Sequence, residues 1–412
     1  MHVAVIGAGI VGVQVAHELL DDGHSVTFVD PDGIAERTSR GNAGFIAHTD
    51  IMPLASPKVW RHLPGWLLDP LGPLTIRPSY AHRILPWMLR FVAASAPSRI
   101  EASIAALTQL NGLSLPAWER RLKKLGLTDR HLRRSGYLYV WASRPDFEAS
   151  KSTLKRQQAL GIPVEILDSN AAVRKLEPAY GPAIVGGAHY PTGARVDEPA
   201  SVAKSLGAEA LKRGATMRQT AVETIRPVQG GVAIGLKDGG TLEADMAVIA
   251  AGAWSKPLAA QLGDRIPLDT ERGYNLTLPK GSLGLTRPVI HEGLGFATSV
   301  FDDTDRIGGA VEFAGLDAPP NYKRVDAIIA RAKRVLPDAK FDDGTRWMGF
   351  RPSLPDSMPV IGRSSASDRI VYAFGHGHHG LTESAATAEI VGAMVSQKAS
   401  PIDAEPFRAQ RF

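Results

Sequence analysis

Gly7-Ala8-Gly9-Ile10-Val11-Gly12 is the stretch that most restricts the fold of this 412-residue chain. It follows the apolar run Val3–Ile6, long enough for a buried parallel strand. Val11, Val15, Leu19 and Leu20 then recur at helical spacing, and Gly23 closes that helix as a C′ residue. A second strand, Ser25–Val29, ends at Asp30, 18 residues past Gly12. Strand, glycine turn, helix, strand and terminal acid together make a dinucleotide-binding βαβ unit. Gly7 allows the tight turn, Gly9 lets backbone approach a pyrophosphate, and Gly12 lets helix pack on strand. The helix N-terminus offers free N–H groups to phosphates, and Asp30 can accept from a ribose diol. Glycines at these offsets alone carry little weight in a chain with 41 of them, so the flanking elements make the case.

Composition then excludes much. Apolar content of 44% with 22% charged residues is that of a globular protein with ample core. A net charge of +5 is no nucleic-acid signature. The absence of cysteine rules out disulfides, thiolate metal sites, cysteine nucleophiles and a cysteinyl cofactor link. The first strand starts at residue 3, so no signal peptide is expected, and no run of 18 apolar residues suggests a membrane span.

Along the chain, Arg37–Ile46 reads as a loop passing close to phosphate or ribose, with a solvated Ser/Gly loop as the competing reading. Residues 53–79 are Pro-rich and irregular. Ile84–Val92 is apolar and helical beyond Pro86; a packed helix is expected, with membrane-surface contact as the alternative. Helices are expected over 98–112, 114–125, 146–160, 199–213 and 324–336. Strands are expected over 136–141, 164–167, 222–225, 232–236 and 241–245, and at Met246–Ala250 before a small-residue turn. The pattern over 262–345 suggests a second domain on an antiparallel sheet.

Gly375-His376-Gly377-His378-His379-Gly380 repeats the glycine pattern between strand 370–374 and helix 382–397. The chain ends before a second strand and acid, so a helix N-terminus aimed at the same cofactor is expected, not a second nucleotide fold. The three histidines lack metal-site spacing, and no carboxylate cluster stands near them in sequence, so no metal is expected.

These segments, with Trp347-Met348-Gly349-Phe350-Arg351-Pro352, Pro355-Asp356 and Pro359-Val360-Ile361-Gly362, resemble the FAD-dependent D-amino acid oxidase superfamily. They are most similar to bacterial D-amino acid dehydrogenases of the alanine and hydroxyproline type, and less so to glycine and sarcosine oxidases. The resemblance covers nearly the whole chain in motif order. It implies an α/β architecture: a Rossmann-type FAD domain (1–75, 146–260, 346–412) interleaved with an α+β substrate domain on an antiparallel sheet (76–145, 261–345). It implies non-covalent FAD in contact with Gly7, Gly9, Ile10, Val11, Gly12 and Asp30. It adds Thr38, Ser39, Asn42, Ala43 and Gly44 from the loop, then Val222, Ala251 and Gly252. Gly377, His378, His379, Gly380, Leu381 and Thr382 would line the flavin's pyrimidine edge. Arg351 matches the arginine that grips a substrate carboxylate, a task suited to a planar, permanently charged fork. Tyr274, in Glu271-Arg272-Gly273-Tyr274, is the expected second donor to that carboxylate, with a sheet tyrosine as the competing reading. His48 is a candidate to face substrate, with a structural histidine as the alternative.

The implied activity is oxidation of the Cα–N bond of a small D-amino acid, D-proline or hydroxy-D-proline among the candidates, by hydride transfer to flavin. Electrons would pass to a quinone-type acceptor. The alternative is an oxygen-using oxidase of glycine, sarcosine or another secondary amine, although the missing cysteines depart from the sarcosine oxidase pattern. A flavin-binding subunit without catalysis and a nicotinamide dehydrogenase are further rivals, opposed by Arg351 and by the C-terminal segment. A cytoplasmic protein is expected, with weak peripheral contact at the inner face of the cell membrane through Trp60, Trp66 and Trp87–Val92 as the alternative to these residues being plain core. The sequence gives no oligomeric state.

Overall fold

The computed structural model describes residues 1–55 and 71–412. Trp60 and Trp66 therefore lie outside the described residues. The apolar run at the N-terminus forms the strand His2–Ile6, central in a six-stranded sheet. It pairs in parallel with Ser25–Val29 on one side and Met246–Ile249 on the other. Thr216–Arg218 and Ile370–Phe374 extend the parallel sheet outward, and Val360–Arg363 closes it antiparallel. Strands buried on both faces need apolar side chains throughout, and Val3, Val5, Val248 and Val371 are fully buried. The helix Ile10–Asp21 packs with Pro199–Lys212 and the C-terminal helix Gly380–Val395 on one face. A small antiparallel sheet (Val222–Val228, Gly231–Leu236, Thr241–Ala244) covers the other.

Two glycines set how closely this unit closes. Gly7 has φ +104°, and a Cβ there would stand 2.4 Å from the Ala250 carbonyl oxygen. A Cβ at Gly12 would stand 2.0 Å from the Gly7 carbonyl oxygen, so no side chain fits at either position.

The second layer is a large mixed sheet. Its order is Thr345–Ser353, Asp269–Pro279, Thr304–Phe313, Phe296–Val300, Val289–Glu292, Tyr137–Trp141, Gly186–Tyr190 and Glu165–Leu167, with Leu74–Ile76 beside Thr304–Phe313. Most pairs are antiparallel, as the pattern over 262–345 implied. Strand pairing crosses the expected domain limits, however. Leu74 and Thr75, Glu165–Leu167, Gly186–Tyr190 and almost all of Thr345–Ser353 come from stretches assigned to the nucleotide unit. Alternating patterns reveal strands, not their partners.

Residues 97–124 form one helix rather than two. Pro116 removes one N–H, but Ile104, Leu107, Leu110, Trp118 and Leu122 bury one unbroken face, which offsets a local cost of about 3 kcal/mol. The short helix Ala81–Ala94 likewise runs through Pro86. Among the described residues, no helix is long and apolar enough to cross a membrane.

Candidate functional site

A single cavity of about 1640 Å³ runs between the two layers, well above the roughly 300–1,000 Å³ of an ordinary small-molecule pocket. It has room for a long cofactor and a second, smaller molecule.

At one end stands the N-terminus of the helix Ile10–Asp21, with Gly9 as its cap. The Ile10 amide donates to Ser39 Oγ (3.0 Å) and the Ala8 amide to Asp30 Oδ2 (2.9 Å). Asp30 Oδ1 accepts from the amides of Asp32 (2.9 Å) and Gly33 (3.1 Å). A carboxylate offers about four acceptor sites, so three backbone donors fix Asp30 and leave one site for a ribose hydroxyl. Gly7, Gly9, Ile10, Val11, Asp30, Thr38, Ser39, Asn42, Ala43, Val222, Ala251 and Gly252 all line this part of the cavity.

Several of these side chains serve as struts. Thr38 Oγ1 donates to the Phe350 carbonyl (2.8 Å), and Asn42 Oδ1 accepts from the Gly44 amide (2.7 Å). Gly44 and Gly12 do not line the cavity. Gly12 packs beneath Gly7, and a Cβ at Gly44 would meet Phe301 at 2.7 Å. Both act on the shape of the cradle from behind.

Further along, Gly377, His378, His379, Gly380, Leu381 and Thr382 line the wall where the helix Gly380–Val395 begins. Thr382 Oγ1 donates to the Phe45 carbonyl (3.1 Å) and accepts from the Ala47 amide (3.0 Å), tying this helix to the loop after Phe45–Ile46. The Gly377 amide donates to the Pro352 carbonyl (2.8 Å), which holds the turn beside Arg351.

Arg351 lines the same cavity and donates from Nη1 to the Ala310 carbonyl (2.9 Å). Burial lowers the guanidinium from its ordinary value, and Glu271 opposes that. Glu271 stands opposite Arg351 in the strand register and accepts from Ser353 Oγ (2.6 Å).

Two expectations are corrected. Tyr274 is among the residues that line the cavity, but it lies three residues from Glu271, so strand alternation turns its side chain to the other face of the sheet from Glu271, Gly273 and Arg351. Its hydroxyl donates to Glu312 Oε2 and accepts from the Asn321 amide (3.1 Å), within a buried network that includes Arg77. His48 does not line the cavity; its Nδ1 lies 3.3 Å from the Ile46 carbonyl, and burial lowers its pKa.

The histidines also have a carboxylate partner that linear spacing concealed. Asp50 Oδ2 lies 3.1 Å from His379 Nε2 and 3.9 Å from His378 Nε2. One acceptor or donor atom from each of Asp50, His378 and His379 falls within 4.8 Å of the others. The set sits at the positive end of the helix Gly380–Val395, near Arg351, a poor setting for a dication and a good one for a hydrogen-bonded proton-sharing group. Burial raises Asp50, but its interactions with His378 and His379 outweigh this and hold it low.

Asp50, Glu271 and the buried Glu383 escaped the sequence reading. Glu271 carried a signal, since it shares strand parity with Gly273 and not with Tyr274. Glu383 lies four residues past His379 on a helix. Asp50 carried none.

Fold and cavity together define a protein that holds a dinucleotide cofactor beside a second, smaller molecule. The chain belongs to the DAO family, described as FAD dependent oxidoreductase, which matches residues 2–394. It is 34% identical over 422 aligned residues to a D-amino-acid oxidase of Bradyrhizobium diazoefficiens, covering 100% of this chain and 99% of that one. It is 30% identical to a D-amino acid dehydrogenase of Rhizobium johnstonii, covering 100% of both. Its fold is similar to that of glycine oxidase from Geobacillus kaustophilus, with a TM-score of 0.78 at 21% identity over 100% of this chain and 98% of that one. The protein is an FAD-dependent enzyme, and the strut-held glycine cradle with its anchored Asp30 fits that cofactor.

Proposed function

We propose that the protein oxidises the Cα–N bond of a small, apolar D-amino acid to the imino acid and passes the electrons to a quinone-type acceptor. The observation that carries this reading is Arg351, a half-buried guanidinium open to the cavity that also holds the cofactor cradle. A planar fork grips a carboxylate with two hydrogen bonds and fixes the direction of Cα. Bound FAD would supply the acceptor for the two electrons and the hydrogen of Cα, held by the Gly7–Gly12 turn and Asp30.

The wall beyond Arg351 is apolar. Trp87 Nε1 donates to the Ser353 carbonyl (3.4 Å), and Trp87 packs on Phe91 and Phe313, each with ring centroids 5.2 Å apart. Such a pocket suits the side chain of alanine- or proline-like substrates and leaves glycine without a partner there. The D configuration is supported by the activities named for the full-length relatives.

The helix Ala81–Ala94 turns Trp87, Met88 and Phe91 to the cavity and leaves Leu85, Leu89 and Val92 exposed at 56%, 62% and 49%. Arg83 and Arg90 are exposed on the same helix. A basic helix with one bare apolar stripe supports peripheral contact with an anionic membrane, where a lipid-soluble quinone resides. An oxygen-using oxidase is the second reading, favoured by the name of the 34% identical relative.

The deciding experiment reduces the holoenzyme anaerobically with D-alanine, D-proline, their L forms and N-methylglycine, then mixes it with air-saturated buffer or a soluble quinone. Fast reduction by D-amino acids and reoxidation mainly by quinone is expected. Reoxidation by oxygen fast enough for turnover, with stoichiometric peroxide, establishes the oxidase instead.

A further inference from the structure

The cavity that Arg351 lines also carries titratable groups whose acid–base chemistry neither carboxylate binding nor cofactor binding calls on. His378 and His379 are adjacent in sequence, their ring centroids 4.0 Å apart, and both converge on Asp50 Oδ2. Their exposures differ. The His379 side chain is only 8% accessible, whereas that of His378 is 38% accessible on the cavity it lines. Asp50 is fixed from behind, because Asn111 Nδ2 donates to its main-chain carbonyl (2.7 Å). One imidazole is thus locked on a carboxylate while the other is presented to whatever occupies the cavity.

The charged surroundings are mixed. From the sheet, Glu271 faces His378, and Glu271 is also the cross-strand neighbour of Arg351. From its own helix, His379 faces Glu383, with Nδ1 and Oε1 3.7 Å apart. His376 lies beneath, bonded to Thr387 Oγ1 (2.9 Å). Tyr137, Tyr139 and Tyr190 face Asp50 from the sheet.

We propose that His378, held by Asp50 and His379, takes a proton from the ammonium group of the amino acid whose carboxylate Arg351 binds. This rests on the amino-acid-oxidation reading above. In the step one N–H bond of R–NH3⁺ breaks, its electron pair stays on nitrogen, and the proton passes to the free ring nitrogen of His378. No electrons leave the substrate in this step. The neutral amine then has the lone pair that the C=N bond needs, and the new imidazolium is favoured by Asp50, 3.9 Å away, and by the charge of Glu271. His378 is the proton acceptor; Asp50 and His379 are positioning residues.

The protonation states agree with this division. Burial, then the neighbouring His379, lowers His378, so that it is neutral and ready to accept near pH 7. Burial opposes a charge on His379, but the Asp50 hydrogen bond and charge, with Glu383, outweigh it and raise its pKa.

The test follows flavin reduction by D-alanine and D-proline anaerobically, by stopped flow, from pH 5.5 to 10. It uses the wild-type holoenzyme, His378→Gln, His378→Ala and Asp50→Asn, each checked for flavin content and thermal unfolding. At pH 7 the His378 variants are expected to lose roughly 100-fold in reduction rate, the usual span of a general base. The deficit should shrink as pH approaches the amine's own pKa, where no base is needed. Added imidazole should restore part of the rate in His378→Ala, and Asp50→Asn should shift the acid limb to lower pH. Wild-type rates and pH profile in the flavin-replete His378 variants overturn the relay and leave the amino-acid reading intact. A pH-independent loss without imidazole rescue also overturns it, in favour of a purely structural histidine. A stoichiometric divalent cation whose chelation stops reduction overturns it in favour of a metal centre. If no amino acid reduces the wild-type flavin at any pH, the underlying reading fails instead.

Discussion

Glu271 stands directly opposite Arg351 across the paired strands Asp269–Pro279 and Thr345–Ser353. A buried acid beside the arginine tempers its positive charge and narrows the anion site to one that also tolerates an amino group. Gly273 continues the arrangement: a Cβ there would stand 2.3 Å from Arg351 Nη2, so the guanidinium lies flat over bare backbone.

Arg351 is therefore expected to be irreplaceable by lysine, since a point ammonium cannot reproduce the fork. Arg351→Lys and Arg351→Ala should each lower kcat/KM on the order of 100-fold, about 3 kcal/mol, with flavin retained. Gly273→Ala should act in the same direction by displacing the guanidinium. Steady-state kinetics with a dye acceptor and flavin absorbance check both, and near wild-type kcat/KM in Arg351→Ala would remove the residue from the site.

Asp30→Ala should weaken FAD by about 1–3 kcal/mol, through loss of a charge-assisted ribose contact and of the anchor for the Ala8, Asp32 and Gly33 amides. Flavin fluorescence on titration into apoprotein measures this. An unchanged Kd would show that the ribose lies elsewhere.

Tyr274→Phe separates the sequence expectation from the observed geometry. A hydroxyl bonded to Glu312, on the far face of the sheet, should leave kcat/KM within about twofold. Stability should fall by about 1–2 kcal/mol, as a buried carboxylate loses a donor. A large kcat/KM loss with unchanged Tm would return Tyr274 to the substrate.

Glu383 supplies a pH prediction. Both of its carboxylate oxygens are buried without a hydrogen-bond partner among the described residues, and burial raises its pKa to about 8 from 4.5, with His379 opposing and Asp50 adding. The folded pKa lies above the unfolded one, so its contribution is complete below about pH 4.5 and is lost as pH rises through 8. Glu383→Gln removes that loss. The Tm advantage of the variant over wild type should grow from pH 5 to pH 9, with a ceiling of a few kcal/mol. A constant difference across that range would show that Glu383 is ionised throughout in the folded protein.

Leu89→Glu should reduce binding to anionic vesicles and turnover with a membrane quinone, yet leave turnover with a soluble dye within about twofold, because Leu89 points away from the cavity. Vesicle flotation and paired assays measure this. Equal flotation of both proteins would dismiss the helix Ala81–Ala94 as a membrane contact.

What the sequence determined by itself was everything encoded by neighbours within a turn or a strand. Val3–Ile6, the glycine turn and Asp30 specify one βαβ unit because tight turn, helix end and strand end must follow in that order. Apolar periodicity located most helices and strands for the same reason. The chain order of motifs was enough to name the cofactor. Tertiary structure decided what depends on distant partners. Asp50 and His379 lie 329 positions apart, and nothing local to either announces the other. The resemblance of Glu271-Arg272-Gly273-Tyr274 to its family segment put Tyr274 on the carboxylate that Arg351 grips, but a strand sends adjacent side chains to opposite faces, and Glu271, not Tyr274, shares the face of Arg351. Pairing also carried strands such as Gly186–Tyr190 across the expected domain limits, because a strand's own pattern fixes its faces and leaves its neighbours to the rest of the chain.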